Sequence, residues 1–505
     1  MKYIDSFLNK QPMYGLVLNS LKILAFISVI FGFMALLPFS GVSLILHFFV
    51  LALACYTANA LFAKSFGVSA NFESASITAL ILFFIIAPAT TSFDYGIVVL
   101  AGVLAMASKY LLTIRDKHLF NPAAISLVIL GLFGMSNSIW WVATPSLLPF
   151  VLIASFLILR KVEKLRLFFV FLVAALVSIT LFAFIGKAEM MGTMSQVLIS
   201  WPLLFFGAFM LTEPLTSPGT RKEQIIYGIL VGLLFGAQFH FGPVSSTPEL
   251  ALVIGNLYYY IVSAKYHALL VLHEKNELAP LTYEFVFSTT NRLDHKPGQY
   301  LEWTLPHKNV DSRGMRRYFT VASSPTESDI KIGIRMSPEN GSSFKTHLLA
   351  MKAGDTILAG GLTGDFVMPE DTTKKLVFIA GGIGVTPFRS MVKYLIDKNE
   401  KRDVVVFYSN KTADDIAYKD IFDKGEQMLG IKTIYVLNNP GVDLSVIPGA
   451  VAAIDAKLIE EKVSDLKNRI YYISGPHGMV VAFEGMLKTL GVPASQIKVD
   501  FFPGY

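Results

Sequence analysis

A single cysteine, Cys55, stands in the 505 residues. One thiol cannot close an internal disulfide, hold an iron–sulfur cluster by itself or build a structural zinc site of cysteines. Charge is scarce too. Asp, Glu, Lys and Arg make up 16% of the chain against 53% hydrophobic residues, and mean hydropathy is +0.54. No single soluble core explains those values, so an integral membrane portion is expected. Acidic residues are scarcest in the first half. Up to Lys265 there are 15 Lys and Arg against 9 Asp and Glu, and beyond it 28 against 28, so the whole net charge of +6 lies in the apolar half. That distribution excludes a nucleic-acid surface as the meaning of a pI near 9.0. Histidines are few as well: His47, His118, His240 and His267 stand singly, mostly at the ends of apolar runs. A transmembrane haem reductase, which needs stacked histidine pairs, is therefore the weaker alternative.

What the first half does have is long hydrophobic runs. About ten of them, near 16–37, 42–63, 75–92, 95–113, 121–135, 145–159, 165–186, 197–212, 225–240 and 249–264, approach membrane-spanning length. With a cytoplasmic N-terminus, fourteen basic residues fall on the inner side and only Lys187 outside, which predicts ten spans with both termini cytoplasmic. The first run is too long for a signal-peptide core and lacks a small-residue cleavage site, so it is expected to stay as an anchor in a multi-pass cytoplasmic membrane protein.

From residue 266 the pattern changes. Short β-rich segments such as "TYEFVFSTT", "GQYLEWTLP" and "DIKIGIRM" predict a small antiparallel barrel over 266–370. After residue 371, strands such as "KLVFIA", "DVVVFYS" and "RIYYISG" alternate with helix-length segments, which predicts a parallel sheet wound with helices that binds ligand at the carboxyl ends of its strands. The fold class expected is thus a polytopic α-helical membrane domain (1–265) fused to a β-barrel and an α/β dinucleotide domain.

Three motifs carry chemistry in the second half. "RRYFTVASS" offers Arg317, Tyr318, Phe319 and Thr320; "GSSFK" places Gly341, Ser342, Ser343, Phe344 and Lys345 at a helix start, a ready anion site. In "FIAGGIGVTPFRSM" a strand feeds Gly381, Gly382 and Gly384, and Thr386 and Pro387 begin a helix, so that a pyrophosphate can approach bare backbone. With "YYISGPHGMV" these resemble, in order, the ferredoxin–NADP reductase superfamily, an FAD barrel followed by a nicotinamide-dinucleotide domain. The resemblance implies that Arg317 and the Gly341–Lys345 segment hold the FAD pyrophosphate, that Phe319 packs on the isoalloxazine and that Thr320 bonds near its N5. It also implies that Gly475, Pro476 and Met479 lie by the nicotinamide. Ser474 stands where that family usually has cysteine, and Thr320 and Ser474 are the expected catalytic pair. The final "DFFPGY" suggests an aromatic terminus, Tyr505, near the flavin, or an apolar tail packed on the sheet. Ser409 and Lys411 either receive a 2′-phosphate or face solvent, which leaves NADH and NADPH both open.

In the first half, "KHLFNPAAISL" and "LTEPLTSP" are similar to segments of the membrane family shared by Rnf electron-transport complexes and sodium-pumping NADH:quinone reductases. Each sets a proline beside polar groups near a helix end, so Asn121, Glu213, Thr216 and Ser217 are candidates either for a buried polar site or for simple caps at the cytoplasmic surface. Glu249 and Asn256 join them as polar residues of the last run. Relatives in that family carry FMN on an outer-side threonine. Here the loop reads "MSNSIWWVATPSL", with Trp141 and Val142 where small residues belong, so Thr144 is expected to stay unmodified. The function implied is an FAD-dependent NAD(P)H oxidoreductase of the membrane that passes electrons to a membrane acceptor, with noncovalent FMN, riboflavin or quinone between the helices or acceptance at the inner face. A transporter or channel regulated by a reductase domain is the other alternative. No metal site is expected.

Overall fold

The computed structural model describes the chain except residues 1–7, 9–10, 69, 115–116, 136–137, 264–266, 290–292, 312–313, 338–340 and 501–505, so Tyr505 lies outside the described residues. Two compact units result, 1–263 and 264–503.

Short polar residues start several helices of the first unit. Ser40 accepts from Ser43 N, Thr91 and Asp94 form a capping box, and Asn121 accepts from Ala124 N just before Pro122. Among the described residues four helices are long and apolar enough to cross a membrane: Met13–Phe33, Gly41–Ser65, Ser92–Leu111 and Leu165–Ile185. A fifth candidate is a bent pair, Met190–Ser200 with Leu203–Leu211, turned by 50° at the break that holds Pro202. Its last six residues, Phe206–Leu211, widen into a π-helix. The other apolar helices, Phe72–Ile85, Pro122–Leu132, Leu148–Lys161, Arg221–Gly236 and Pro248–Val262, have 11 to 16 residues. That is short of the roughly 20 a straight span needs. Among the described residues, full-length spans therefore number four, or five with the bent pair, where ten were expected. Close packing comes from small residues: a Cβ on Gly232 would sit 2.6 Å from the Phe171 carbonyl oxygen, so only glycine lets helix Arg221–Gly236 lie against Leu165–Ile185.

The second unit carries two sheets. One is antiparallel, in the order Arg316–Thr320, Tyr300–Thr304, Thr356–Thr363, His267–Ala279, Thr282–Ser288, Ile330–Arg335. Alternation puts Ile330, Ile332 and Ile334 inside with Phe285, Phe287, Trp303 and Phe344. Its edge strands meet just beyond Thr320, where Ala322 N donates to Lys331 O at 2.8 Å, and among the described residues no ladder joins them. The other sheet is parallel, in the order Lys432–Leu437, Val404–Asn410, Lys375–Gly381, Arg469–Ser474, Ile497–Asp500. Separate apolar clusters cover its two faces, which is why its central strands read as unbroken hydrophobic runs.

Candidate functional site

At the carboxyl edge of the parallel sheet, Ala380 pairs with Ser474 and Gly381 with Ser409. The chain leaves Gly381 through Gly382, whose φ of +51° an L side chain rarely adopts, makes one 3-10 turn, and enters helix Thr386–Lys398 with Pro387 in its first turn. A Cβ on Gly384 would lie 2.6 Å from both the Gly475 Cα and the Ser474 oxygen, and one on Gly381 would lie 2.3 Å from the Met479 sulfur and 3.1 Å from Pro476 Cδ. Two motifs some ninety positions apart in sequence are thus one cradle of bare backbone at a helix start, which fits a dinucleotide pyrophosphate. Thr386 turns its hydroxyl back to Ile383 O at 3.3 Å. Ser474 Oγ lies 3.5 Å from Asp500 Oδ2. Burial pushes the Asp500 carboxyl up to about 7, against the lowering effect of the Ser474 hydrogen bond. Sequence reasoning passed over Asp500, the acid that closes the short strand Ile497–Asp500.

Strand Arg316–Thr320 faces Tyr300–Thr304, with Arg317 opposite Trp303 and Thr320 opposite Tyr300. Arg317 is buried. Its Nη1 donates to Gly314 O (3.0 Å) and Arg316 O (2.6 Å), Nη2 lies 3.6 Å from Asp311 Oδ1, and the guanidinium sits 5.3 Å over the Phe344 ring. Phe319 packs 5.9 Å from the same ring, while Tyr318 OH donates to Glu302 Oε2 at 2.7 Å. Helix Ser343–Ala350 is capped by Ser342, which accepts from Lys345 N. Ser343 N donates to Asp311 Oδ2 at 2.9 Å, Ser343 Oγ meets His307 Nε2 at 2.9 Å, and Lys345 Nζ donates to Arg335 O at 2.9 Å. The motif around Arg317 and the helix start after Gly341 therefore converge on one seat, and they hold a carboxylate, Asp311, between them. A seat that binds one anion through a guanidinium and a helix amide has the donors a phosphate needs. Asp311 and His307 were not legible beforehand, because their sequence surroundings carry no pattern.

In the membrane half the four polar candidates do meet. Glu213 Oε2 accepts from Asn121 Nδ2 (2.9 Å) and Thr216 Oγ1 (3.1 Å), and Oε1 lies 3.3 Å from His118 Nε2. Ser217 Oγ donates to Glu213 O and receives Lys164 Nζ, both at 2.5 Å. Asn256 closes the group: its Oδ1 accepts from Asn121 N, and its Nδ2 donates to Thr216 O and Tyr227 OH. Glu249 stays apart, seven residues or about 10 Å of helix away, where it accepts from Trp140 Nε1 at 2.9 Å. Of the histidines of this half, His118 Nε2 meets Glu213 Oε1 and His240 Nδ1 meets Ser245 Oγ at 2.7 Å. Among the described residues no cluster of metal ligands occurs.

Comparison with known proteins bears on both halves. Residues 132–265 match the NQR2, RnfD, RnfE family, and residues 378–484 match the oxidoreductase NAD-binding domain. Both resemblances hold. An NADPH oxidoreductase of Mycobacterium tuberculosis is 30% identical over 193 residues, 37% of this chain and 47% of that protein. NADH-cytochrome b5 reductase 2-B of Vanderwaltozyma polyspora is 27% identical over 241 residues, 44% of this chain and 78% of that protein. A flavohemoprotein of Candida albicans is 33% identical over 137 residues, 27% of this chain and 33% of that protein. The chain spans about half or less of the Mycobacterium and Candida relatives. Among solved structures, flavohemoglobin from Malassezia yamatoensis is similar at a TM-score of 0.44 and 18% identity, covering 61% of this chain and 75% of that one.

Proposed function

We propose that the protein is a membrane-bound, FAD-dependent NAD(P)H oxidoreductase that delivers electrons to an acceptor in the membrane. The observation that carries this is the closure of Gly381, Gly382 and Gly384 on Ser474, Gly475, Pro476 and Met479 at the carboxyl edge of a parallel sheet. The same compact unit holds the anion seat of Arg317 and Ser343. In this reading residues 266–370 form the FAD barrel and 371–505 the NAD(P) domain. Arg317, Gly341, Ser342, Ser343 and Lys345 hold the flavin pyrophosphate, with Phe344 and Tyr318 shaping the seat. Phe319 flanks the ring system, and Thr320 offers a hydroxyl at its reactive edge. The Gly381–Gly384 backbone, Thr386 and Pro387 receive the dinucleotide phosphates, while Ser474 orients the nicotinamide against Met479, Pro476 and Gly475. FAD supplies the chemistry of taking two electrons as a hydride and passing them on singly. Fusion to the membrane half keeps donor and acceptor at high effective concentration.

For the first unit we propose ten crossings, the five shorter helices being tilted or discontinuous spans, with the reductase and both termini in the cytoplasm. The Asn121, Glu213, Thr216 and Ser217 group is then a polar site near the inner face, where noncovalent FMN, riboflavin or quinone takes up electrons. Pigment extraction and mass spectrometry of the detergent-purified protein, with stopped-flow oxidation of NADH and NADPH, test the proposal. FAD and rapid reduction are expected; a protein without flavin that turns over neither dinucleotide refutes it.

A further inference from the structure

The turn after strand Arg316–Thr320 is gripped by the helix after the glycine loop. Arg389, 4% exposed on helix Thr386–Lys398, meets Glu327 with both prongs, Nη1 to Oε2 and Nη2 to Oε1 (3.0 Å), and Nη1 also donates to Ala322 O at 3.1 Å. The next residue, Ser390, donates its hydroxyl to Ser323 O at 2.7 Å. Glu327 is fixed in turn: its Oε2 accepts from Ser324 N at 2.7 Å, and Lys331 Nζ lies 3.2 Å from Oε1. Further along the same helix, Asp397 accepts from Thr326 Oγ1 at 2.5 Å. None of these side chains belongs to the glycine loop or to the anion seat, so binding either cofactor does not account for them. Apolar packing of the same volume would stabilise the turn as well, because a buried ion pair seldom outperforms it. A bidentate guanidinium–carboxylate pair does impose one geometry.

We infer that the Arg389–Glu327 pair is a positioning device for hydride transfer, holding the glycine-loop helix at a fixed distance from the strand that carries Thr320. The inference rests on the oxidoreductase reading above. Covalent and hydrogen-bonded links run without a gap from Gly384 through Thr386 to Arg389, across to Ala322 and Glu327, and back two residues to Thr320. In the reaction served, the C4–H bond of NAD(P)H breaks, its electron pair passes with the hydrogen to the flavin, and solvent supplies one proton; Arg389 and Glu327 exchange no atom. Their effect is on distance, to which such a transfer is steeply sensitive, since a misplacement of about 1 Å can cost about a hundredfold in rate.

Single-turnover flavin reduction by NADH and NADPH in the detergent-purified full chain tests this, with the variants Arg389→Ala, Arg389→Lys, Glu327→Gln and the charge exchange Arg389→Glu with Glu327→Arg. The expected result for Arg389→Ala is unchanged FAD content, dinucleotide affinity within about threefold, a limiting reduction rate lower by about a hundredfold, and a larger isotope effect with 4-deuterated dinucleotide. Lysine and the charge exchange should each recover at least about tenfold of that loss. A limiting rate within about threefold of the parent for both Arg389→Ala and Glu327→Gln overturns the inference, and so does loss of rate only in step with loss of FAD. If the parent flavin is reduced by neither dinucleotide, the underlying reading fails, and that outcome is visible before any variant is measured.

Discussion

Replacing Gly384 by alanine would place a methyl carbon 2.6 Å from the Gly475 Cα and 2.6 Å from the Ser474 oxygen, where ordinary contact begins at 3.4 Å. Both neighbours are backbone, so no side chain can swing aside. The bodies of the two strands are locked by their parallel ladder from Lys375 to Ala380 against Arg469 to Ser474, which confines the necessary shift to the loop and the strand end. Overpacking of this kind costs about 1–3 kcal/mol. If it falls on the dinucleotide-competent geometry, NAD(P)H affinity drops by about fivefold to a hundredfold. Gly382→Ala separates this effect from plain backbone strain: its nearest neighbour is Arg335 Nη1 at 3.8 Å, so it meets only the left-handed φ penalty of about 1–2 kcal/mol. Titration of NAD(P)H into the full-length protein, read by flavin fluorescence and paired with thermal melts, gives both quantities. A Gly384→Ala protein with parental affinity and melting temperature would refute the closure of the two motifs.

Four further outcomes are expected. Arg317→Ala should deplete bound FAD while membrane insertion is unchanged, as measured by extracted pigment and by membrane fractionation; full flavin occupancy rejects the assignment of the motif. Burial raises the Glu327 carboxyl, but the hydrogen bond and charge of Arg389, with Ser324 N and Lys331, outweigh it and hold it at about 2. Its folded value is thus depressed, so its contribution, about 2–3 kcal/mol, is present above the ordinary carboxyl range and is lost as pH falls from about 4.5 toward 2. Melting of Glu327→Gln should be flatter than the parent across that window, and identical acid limbs would contradict the pairing. A reporter active only outside the cytoplasm should be silent after Tyr505 and active at Ser138; the reverse pattern overturns the topology. Co-expressed with a flavin transferase, the protein should give no fluorescent band on a denaturing gel, and a band abolished by Thr144→Val would show that the loop accepts flavin.

How much could be read beforehand depended on whether the physics was local. The glycine loop was legible because positive φ and close backbone approach demand glycine at fixed spacing from a strand and a helix, and Gly382 and Gly384 occupy those places. That the loop touches Ser474 was not, because the ninety intervening positions erase any spacing rule. Asn121, Glu213, Thr216 and Ser217 stood out as polar residues beside prolines in apolar runs, yet Lys164, His118 and Tyr227, which complete their bonding, looked like ordinary loop and helix residues. The Arg389–Glu327 pair was invisible for the opposite reason: in a half with 28 charges of each sign, no sequence feature marks one pair as buried. Counting apolar runs likewise could not say which ones stay straight, since Pro202 and the short helices break the length rule without changing composition.

The end of helix Phe72–Ile85 shows what such breaks require. Its last carbonyls have no next turn to meet. Trp141 Nε1 donates to the oxygens of Phe83 (2.7 Å) and Ile86 (3.1 Å), and the amides of Ile139 and Trp140 both donate to Ile85 O. Swinging this loop outward would strip three buried carbonyl groups of their donors at once, at about 1–3 kcal/mol for each one left unsatisfied. The tryptophan pair is therefore a rivet and not a hinge.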